Sequence, residues 1–126
     1  WNSSDNAGFS KHEPWILVNP NYLKINREEQ ENDPDSVLSY YKMMIGLRKD
    51  NKVLLEGEFI PIKASRDLVI YQRKLGDQVW TIVLNFSKKI ANYINDGKII
   101  VSSYGDEHIS GKLKPFESAV YDNSHI

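Results

Sequence analysis

Gln78-Val79-Trp80-Thr81-Ile82-Val83-Leu84-Asn85-Phe86 decides the fold class of this chain. Read at a period of two, one face carries Trp80, Ile82, Leu84 and Phe86, and the other includes Val79 and Val83. A strand apolar on both faces belongs in the middle of a sheet. Around it, residues 58–62, 68–74, 91–94, 98–102 and 116–121 read as further short strands, each bounded by turn residues. Asp96-Gly97 lies between two apolar runs and reads as a hairpin turn. Close, regular spacing without an intervening helix indicates an antiparallel β-sandwich or barrel.

Upstream the pattern changes. Residues 33–50, from Asp33-Pro34-Asp35-Ser36 to Arg48-Lys49-Asp50, form the one long helix the sequence supports. Asp33 suits the N-cap and Pro34 the first helical position, so the helix is expected to span about 34–50. Val37, Leu38, Tyr41, Met44 and Ile45 make a broad apolar face, with Arg48 and Lys49 in the last turn. Burying Val37, Tyr41, Met44 and Ile45 would contribute about 1.5–3 kcal/mol per side chain, so this helix wants a large apolar partner. Residues 1–23 are punctuated by Asn, Ser, Gly and Pro, yet carry Trp1, Phe9, Trp15 and Tyr22. An aromatic loop of this kind is expected to be ordered and pinned to a larger body by Trp15 and Tyr22. Asn26 is placed to cap a short helix over Arg27 to Asn32.

At 126 residues the chain is long enough for one ordinary domain. Sixteen basic residues against seventeen acidic ones leave a net charge of -1, which gives no electrostatic reason to expect nucleic acid or an anionic membrane as partner. With no cysteine, disulfide scaffolds and Cys-based metal sites are excluded, and the composition is compatible with a reducing compartment. No apolar run approaches the roughly 20 residues needed to span a bilayer. The chain opens at Trp1 rather than at Met and is expected to be a truncated piece.

Taken together, these segments resemble the C-terminal part of an α-amylase-superfamily enzyme (glycoside hydrolase family thirteen). The likeness is to its branch of oligo-1,6-glucosidases, α-glucosidases, trehalose-6-phosphate hydrolases and sucrose isomerases. Trp1-Asn2-Ser3-Ser4-Asp5-Asn6-Ala7-Gly8-Phe9-Ser10 is similar to a Trp-Asp-x-Ser-x-Asn-Ala-Gly-Phe-Thr segment of that branch, with Asn2 where Asp is usual. Pro14-Trp15-Ile16-Leu17-Val18-Asn19-Pro20-Asn21-Tyr22 resembles its Pro-Trp-x-x-Val-Asn-Pro-Asn-Tyr segment. Residues 33–49 are similar to its last barrel helix, and Leu84-Asn85-Phe86-Ser87 and Leu113-Lys114-Pro115-Phe116-Glu117 to stretches of its terminal β domain. The resemblance implies that residues 1–50 are the end of a (β/α)8 catalytic barrel, a loop segment plus its last helix. Residues 51–126 would then be a C-terminal Greek-key β-sandwich domain. It also implies a cytoplasmic parent that hydrolyses short α-glucosides, with retention through two carboxyls about 5–5.5 Å apart. The family's aspartate nucleophile, glutamate acid/base and second aspartate fall on no position here. The chain alone is therefore expected to be an inactive, stabilising piece whose partner is the missing barrel, with self-association of the isolated chain a further expectation. No cofactor is implied. By its place in the family, the stretch with Trp1, Asn6 and Phe9 is the part expected to lie near bound sugar.

The other candidates read as structural. Asp33 and Asp35 suit a helix start, Glu28, Glu29 and Glu31 a solvated face, and Glu56 and Glu58 point to water. Asp106-Glu107-His108 sits in a turn, and His12, His108 and His125 are too scattered for a zinc site. Asn2-Ser3-Ser4 and Asn85-Phe86-Ser87 fit the glycosylation pattern only by its brevity. A rival reading makes the sandwich a glucan-binding module. Trp80 is expected to be internal, so a flat pair among Tyr71, Tyr93, Tyr104 and Tyr121 would have to carry it.

Overall fold

A computed structural model describes residues 1–124. The chain divides into two compact units, Trp1–Arg48 and Lys49–Ile126.

The first unit is a loop with short helical turns. Asp5–Gly8 is a tight turn with left-handed backbone at Asn6 and Ala7, and Pro20–Leu23 is a single 3-10 turn. Helix α1, Arg27–Asn32, is capped by the Asn26 side chain, which accepts from the Glu29 N–H at 3.0 Å. Helix α2 runs Val37–Asp50, three residues shorter at its start than the sequence suggests. Asp33 is not its cap. The Asp33 carboxylate accepts the Asp35 N–H at 2.9 Å and its carbonyl accepts the Ser36 N–H at 3.2 Å, so the chain makes a turn before the helix begins. Ser36 takes the capping role: its Oγ accepts the Ser39 N–H at 3.1 Å, while Gln30 Oε1 accepts the Leu38 N–H at 3.1 Å. Val37, Tyr41 and Ile45, one residue per helical turn, are all exposed. Trp15 is 95% exposed and Leu17 81%, so the anchoring role expected of Trp15 has no counterpart among the described residues.

The second unit opens with the one-turn helix α3, Lys52–Leu55, which the sequence reading passes over. Among the described residues seven antiparallel strands follow: β1 Glu58–Ala64, β2 Leu68–Leu75, β3 Gln78–Asn85, β4 Ala91–Asn92, β5 Lys98–Ser102, β6 Lys112–Leu113 and β7 Ser118–Asp122. Five form a sheet in the order β1-β2-β3-β7-β5, and β4 pairs with β6 in a second, two-stranded sheet. As the sequence indicates, β3 is the central strand, with Trp80, Ile82 and Val83 all buried. Its partner β2 is joined through Gly76-Asp77, with Leu75 opposite Gln78 and Gly76 at φ 58°. One face of the large sheet gives Ile70, Val83, Ala119 and Tyr121 to a core closed by Leu113 of β6, with Ala91 and Tyr93 packed alongside. The two sheets thus make an unequal sandwich, and the chain crosses between them four times, before and after β4 and before and after β6, as in a Greek key. On the other face α3 lies against β2 and β3 and buries Val53. Arg73 Nη2 caps that short helix, donating to the Leu54 carbonyl at 3.3 Å. Pro61 sits on edge strand β1 at a register shift, where a missing N–H is tolerated.

Asp96-Gly97 is not a hairpin. Strand β4 pairs with β6 and β5 with β7, so this turn carries the chain from one sheet to the other. Asn95 Oδ1 accepts the Gly97 N–H at 2.8 Å and an Asn123 amide N–H at 2.9 Å, which pulls the turn against the end of β7. A Cβ on Gly97 would lie 2.6 Å from Asn123 Nδ2 and 2.7 Å from the Asp122 carbonyl oxygen, so glycine is there for close approach. Gly97→Ala is therefore expected to destabilise the second unit by about 1–3 kcal/mol. Gly46→Ala, in a helix where an added Cβ meets nothing within 4 Å, should stabilise by about 0.5–1 kcal/mol. Thermal unfolding followed by circular dichroism decides both signs.

Candidate functional site

Trp1, Asn6 and Phe9 are brought together by a tight backbone excursion. Asn6 and Ala7 take left-handed φ values of 53° and 56°, and Gly8 follows at 74°. Two consecutive non-glycine residues in this region are a strained feature held by their surroundings. The Ala7 N–H donates to the Ser4 carbonyl at 2.9 Å and the Asn2 N–H to the Ala7 carbonyl at 3.2 Å, and Ala7 is fully buried. The Asn6 side chain points into its own loop, donating to the carbonyls of Ser10 and His12 at 3.2 Å each, so it shapes the loop. The rings of Trp1 and Phe9 stack with centroids 6.1 Å apart and planes at 24°, with Trp1 51% and Phe9 69% exposed. Beside them Ser4, Asp5, Asn6, Phe9 and Lys11 border an open hollow of about 600 Å³. An exposed aromatic pair beside serine hydroxyls, the Asp5 carboxylate and the Lys11 ammonium is chemically suited to the apolar face and hydroxyl edge of a sugar.

The remaining candidates sort themselves by contact. Glu31 bridges Arg27 at 3.0 Å and Lys42 at 3.1 Å, and those two cations, Lys42 foremost, hold its carboxyl below the usual carboxylate range. Glu56 and Glu58 are exposed. Asn85 is buried, its amide spent on the carbonyls of Lys89 and Lys114 at 2.8 Å each, so the second glycosylation pattern is unavailable to any enzyme in the folded chain. Among the described residues no group of three or more His, Asp or Glu converges as a metal site. His125 lies outside the described residues.

Sequence reasoning missed the partner of His108. Its Nδ1 lies 2.6 Å from Glu117 Oε1, and Glu117 is fully buried. Ser102 Oγ donates to the same oxygen at 2.6 Å, and the Lys114 N–H donates to Oε2 at 2.6 Å. The tyrosine hydroxyl of Tyr121 lies 3.3 Å from His108 Nε2. A histidine in a turn nine residues before a glutamate carries no sequence signal of this contact, because only the fold brings them together. Ser, His and Glu here do not form a nucleophilic triad: Ser102 donates to the carboxylate rather than to the imidazole. Burial pushes the Glu117 carboxyl up, but hydrogen bonds from Ser102, the Lys114 backbone and His108 outweigh it and leave it below the usual range. Burial, then the nearby Glu117 carboxylate, push the Tyr121 hydroxyl up to about 12.

The tyrosines offer no flat platform. Tyr121 is buried and tilted 54° to Tyr93, Tyr71 packs against Phe59, and Tyr104 lies under the Lys114 ammonium.

The lowered Glu117 value fixes the sign of a pH effect. A carboxyl held lower in the folded than in the unfolded chain stabilises fully above about pH 4.3, its unfolded value, and loses that contribution as pH falls through the folded value. Denaturant unfolding of the second unit should thus weaken below about pH 4. Glu117→Gln should flatten this acid limb and lower stability at neutral pH by about 1–3 kcal/mol, because an amide N–H then faces buried donors.

Residues 1–57 match the family model described as the α-amylase catalytic domain. A probable oligo-1,6-glucosidase 2 of Bacillus subtilis (strain 168) is 40% identical over 96% of this chain and 23% of its own length. An oligo-1,6-glucosidase of Parageobacillus thermoglucosidasius is 35% identical over 96% of this chain and 24% of its own. The crystal structure of isomaltulose synthase from Klebsiella sp. LX3 superposes with a TM-score of 0.88 at 32% identity, over 97% of this chain and 24% of that one. The chain thus spans about a quarter of the length of the relatives it matches. The relatives share its sequence through loop, helix and sheet alike, and on that ground the chain belongs to the α-amylase family, in its oligo-1,6-glucosidase branch.

Proposed function

We propose that this chain is the C-terminal part of a cytoplasmic α-glucosidase that hydrolyses α-glucosidic bonds in short oligosaccharides with retention of configuration. The observation that carries the proposal is the match to oligo-1,6-glucosidases over nearly all of this chain but under a quarter of theirs. In this reading residues 1–50 complete the catalytic barrel, the chemistry belongs to carboxylates outside this sequence, and residues 51–126 stabilise the whole. Exposed apolar groups support it: Val37, Tyr41 and Ile45 form a stripe along α2, and Trp15, Ile16 and Leu17 project from the loop. Exposing so many large apolar side chains favours a partner, which here is the rest of the barrel or, in the isolated chain, a second copy. Trp1 and Phe9 are the part of the chain placed against sugar.

Alone, the chain is expected to release no glucose from isomaltose, maltose, sucrose or trehalose 6-phosphate. Coexpressed with the barrel portion of a full-length relative, it should keep that portion soluble and active. A Tyr41→Lys, Ile45→Lys double variant should not. A relative that stays soluble and fully active without the region equivalent to residues 51–126 would overturn the stabilising role. Glucose release by the isolated chain would overturn the upstream placement of the chemistry.

A further inference from the structure

The sandwich carries a second candidate site, remote in sequence from the Trp1–Phe9 pair. It is a cleft of about 460 Å³ on the large sheet, bordered by β2, β3, the end of β7 and the crossing segment after β4. Small-molecule sites run to roughly 300–1,000 Å³. Ile62, Ile70 and Val79 line it with hydrocarbon, while Gln72, Thr81, Asn95 and Asn123 add amides and a hydroxyl.

Those polar groups are held in a relay. Gln72 Nε2 donates to Thr81 Oγ1 at 3.2 Å, and Thr81 donates to Asn123 Oδ1 at 2.7 Å. Asn123 Nδ2 donates to Asn95 Oδ1 at 2.9 Å, and Asn95 Nδ2 donates to the Tyr93 hydroxyl at 2.9 Å. Each amide nitrogen has two N–H groups, so the relay fixes the side chains and still leaves Gln72, Asn95 and Asn123 each with an N–H to offer. The Tyr93 hydroxyl, accepting from Asn95, keeps its own proton to donate. Polar groups immobilised in advance by one another reduce the ordering cost of binding.

The chemistry of the lining selects the ligand. One carboxylate, Asp96, and no cation among the described lining residues speak against phosphates and other anions. A single carboxylate with amides is too poor in oxygen charge for a tight divalent cation site. What fits is a neutral polyhydroxy ligand with an apolar face. Ile94, 81% exposed at the rim beside the Tyr93 ring, supplies hydrocarbon against which such a face can lie. We propose that this cleft is an accessory saccharide site that holds the end of a short α-glucan. The cleft itself is independent of the glucosidase reading; the choice of α-linked glucose over other sugars rests on it.

The test is a titration of the isotopically labelled full chain with isomaltotriose, maltotriose and cellotriose at up to tens of millimolar. The side-chain NH2 signals of Gln72, Asn95 and Asn123 are the direct probes. Saturable shifts of these signals with either α-linked sugar, and none with cellotriose, are the expected result. Ile94→Lys, at an exposed position the fold does not need, should weaken binding at least fivefold while the rest of the spectrum stays unchanged. Gln72→Ala should do the same. Silence of the three amides toward every sugar, or shifts confined to residues 1–9, overturns the cleft. Equal shifts with cellotriose overturn the α-linkage preference. The coexpression assay above separates the two readings, since an active parent with a silent cleft sinks only this proposal. A sugar-binding cleft in a parent without glucosidase activity sinks only the other.

Discussion

A single buried carboxylate organises the far half of the sandwich. Glu117 brings a charge into the interior, which is tolerated only when its oxygens are met by donors. Three separate pieces of chain supply them: Ser102 at the end of β5, His108 in the turn beyond it, and the Lys114 backbone after β6. The last two of these pieces have no long ladder of their own, since β6 is two residues and His108 follows a single 3-10 turn. The carboxylate substitutes for the sheet hydrogen bonds they lack. Asn85 does the same for the other side, tying the end of β3 to the carbonyls of Lys89 and Lys114. The small second sheet is therefore held less by strand pairing than by two buried polar side chains reaching into it.

The first unit follows a different economy. Its order comes from backbone turns and caps, Asn26 and Ser36 above all, while its larger apolar side chains stay outside. A segment ordered locally but apolar outwardly is suited to being laid on another body without refolding. The left-handed Asn6-Ala7-Gly8 excursion belongs to this logic, because it is closed by hydrogen bonds within the loop.

The legible parts of the fold were those where one side chain's environment repeats along the chain. Strand β3, the edges of β2 and β5, and the body of α2 announce themselves by period. Strand β6 and helix α3 do not, since two or four residues contain no period to read. The start of α2 is ambiguous in the sequence because Asp33 and Ser36 are both good caps, and only the turn at residues 33–36 decides between them. Asp96-Gly97 has the composition of a hairpin, but the pairing of β4 with β6 lies in residues fifteen or more positions further on. At the candidate site, likeness to a family singles out Trp1, Asn6 and Phe9, but the stacking of Trp1 on Phe9 has no sequence signal. The Glu117–His108 contact and the amide relay of the cleft have no linear signature at all.

Sequence and packing divide this chain at different places. The family model for the catalytic domain runs to residue 57, whereas the second compact unit begins at Lys49. The residues between them, α3 included, fall within the catalytic-domain match but pack with the sheet, where Val53 is buried and Arg73 meets the Leu54 carbonyl. A recombination event or an engineered fusion that joined a new sheet at the sequence boundary would sever this helix from the strands it covers. Exchange of such domains between relatives is therefore expected to be clean only when the junction falls near residue 49, upstream of the helix.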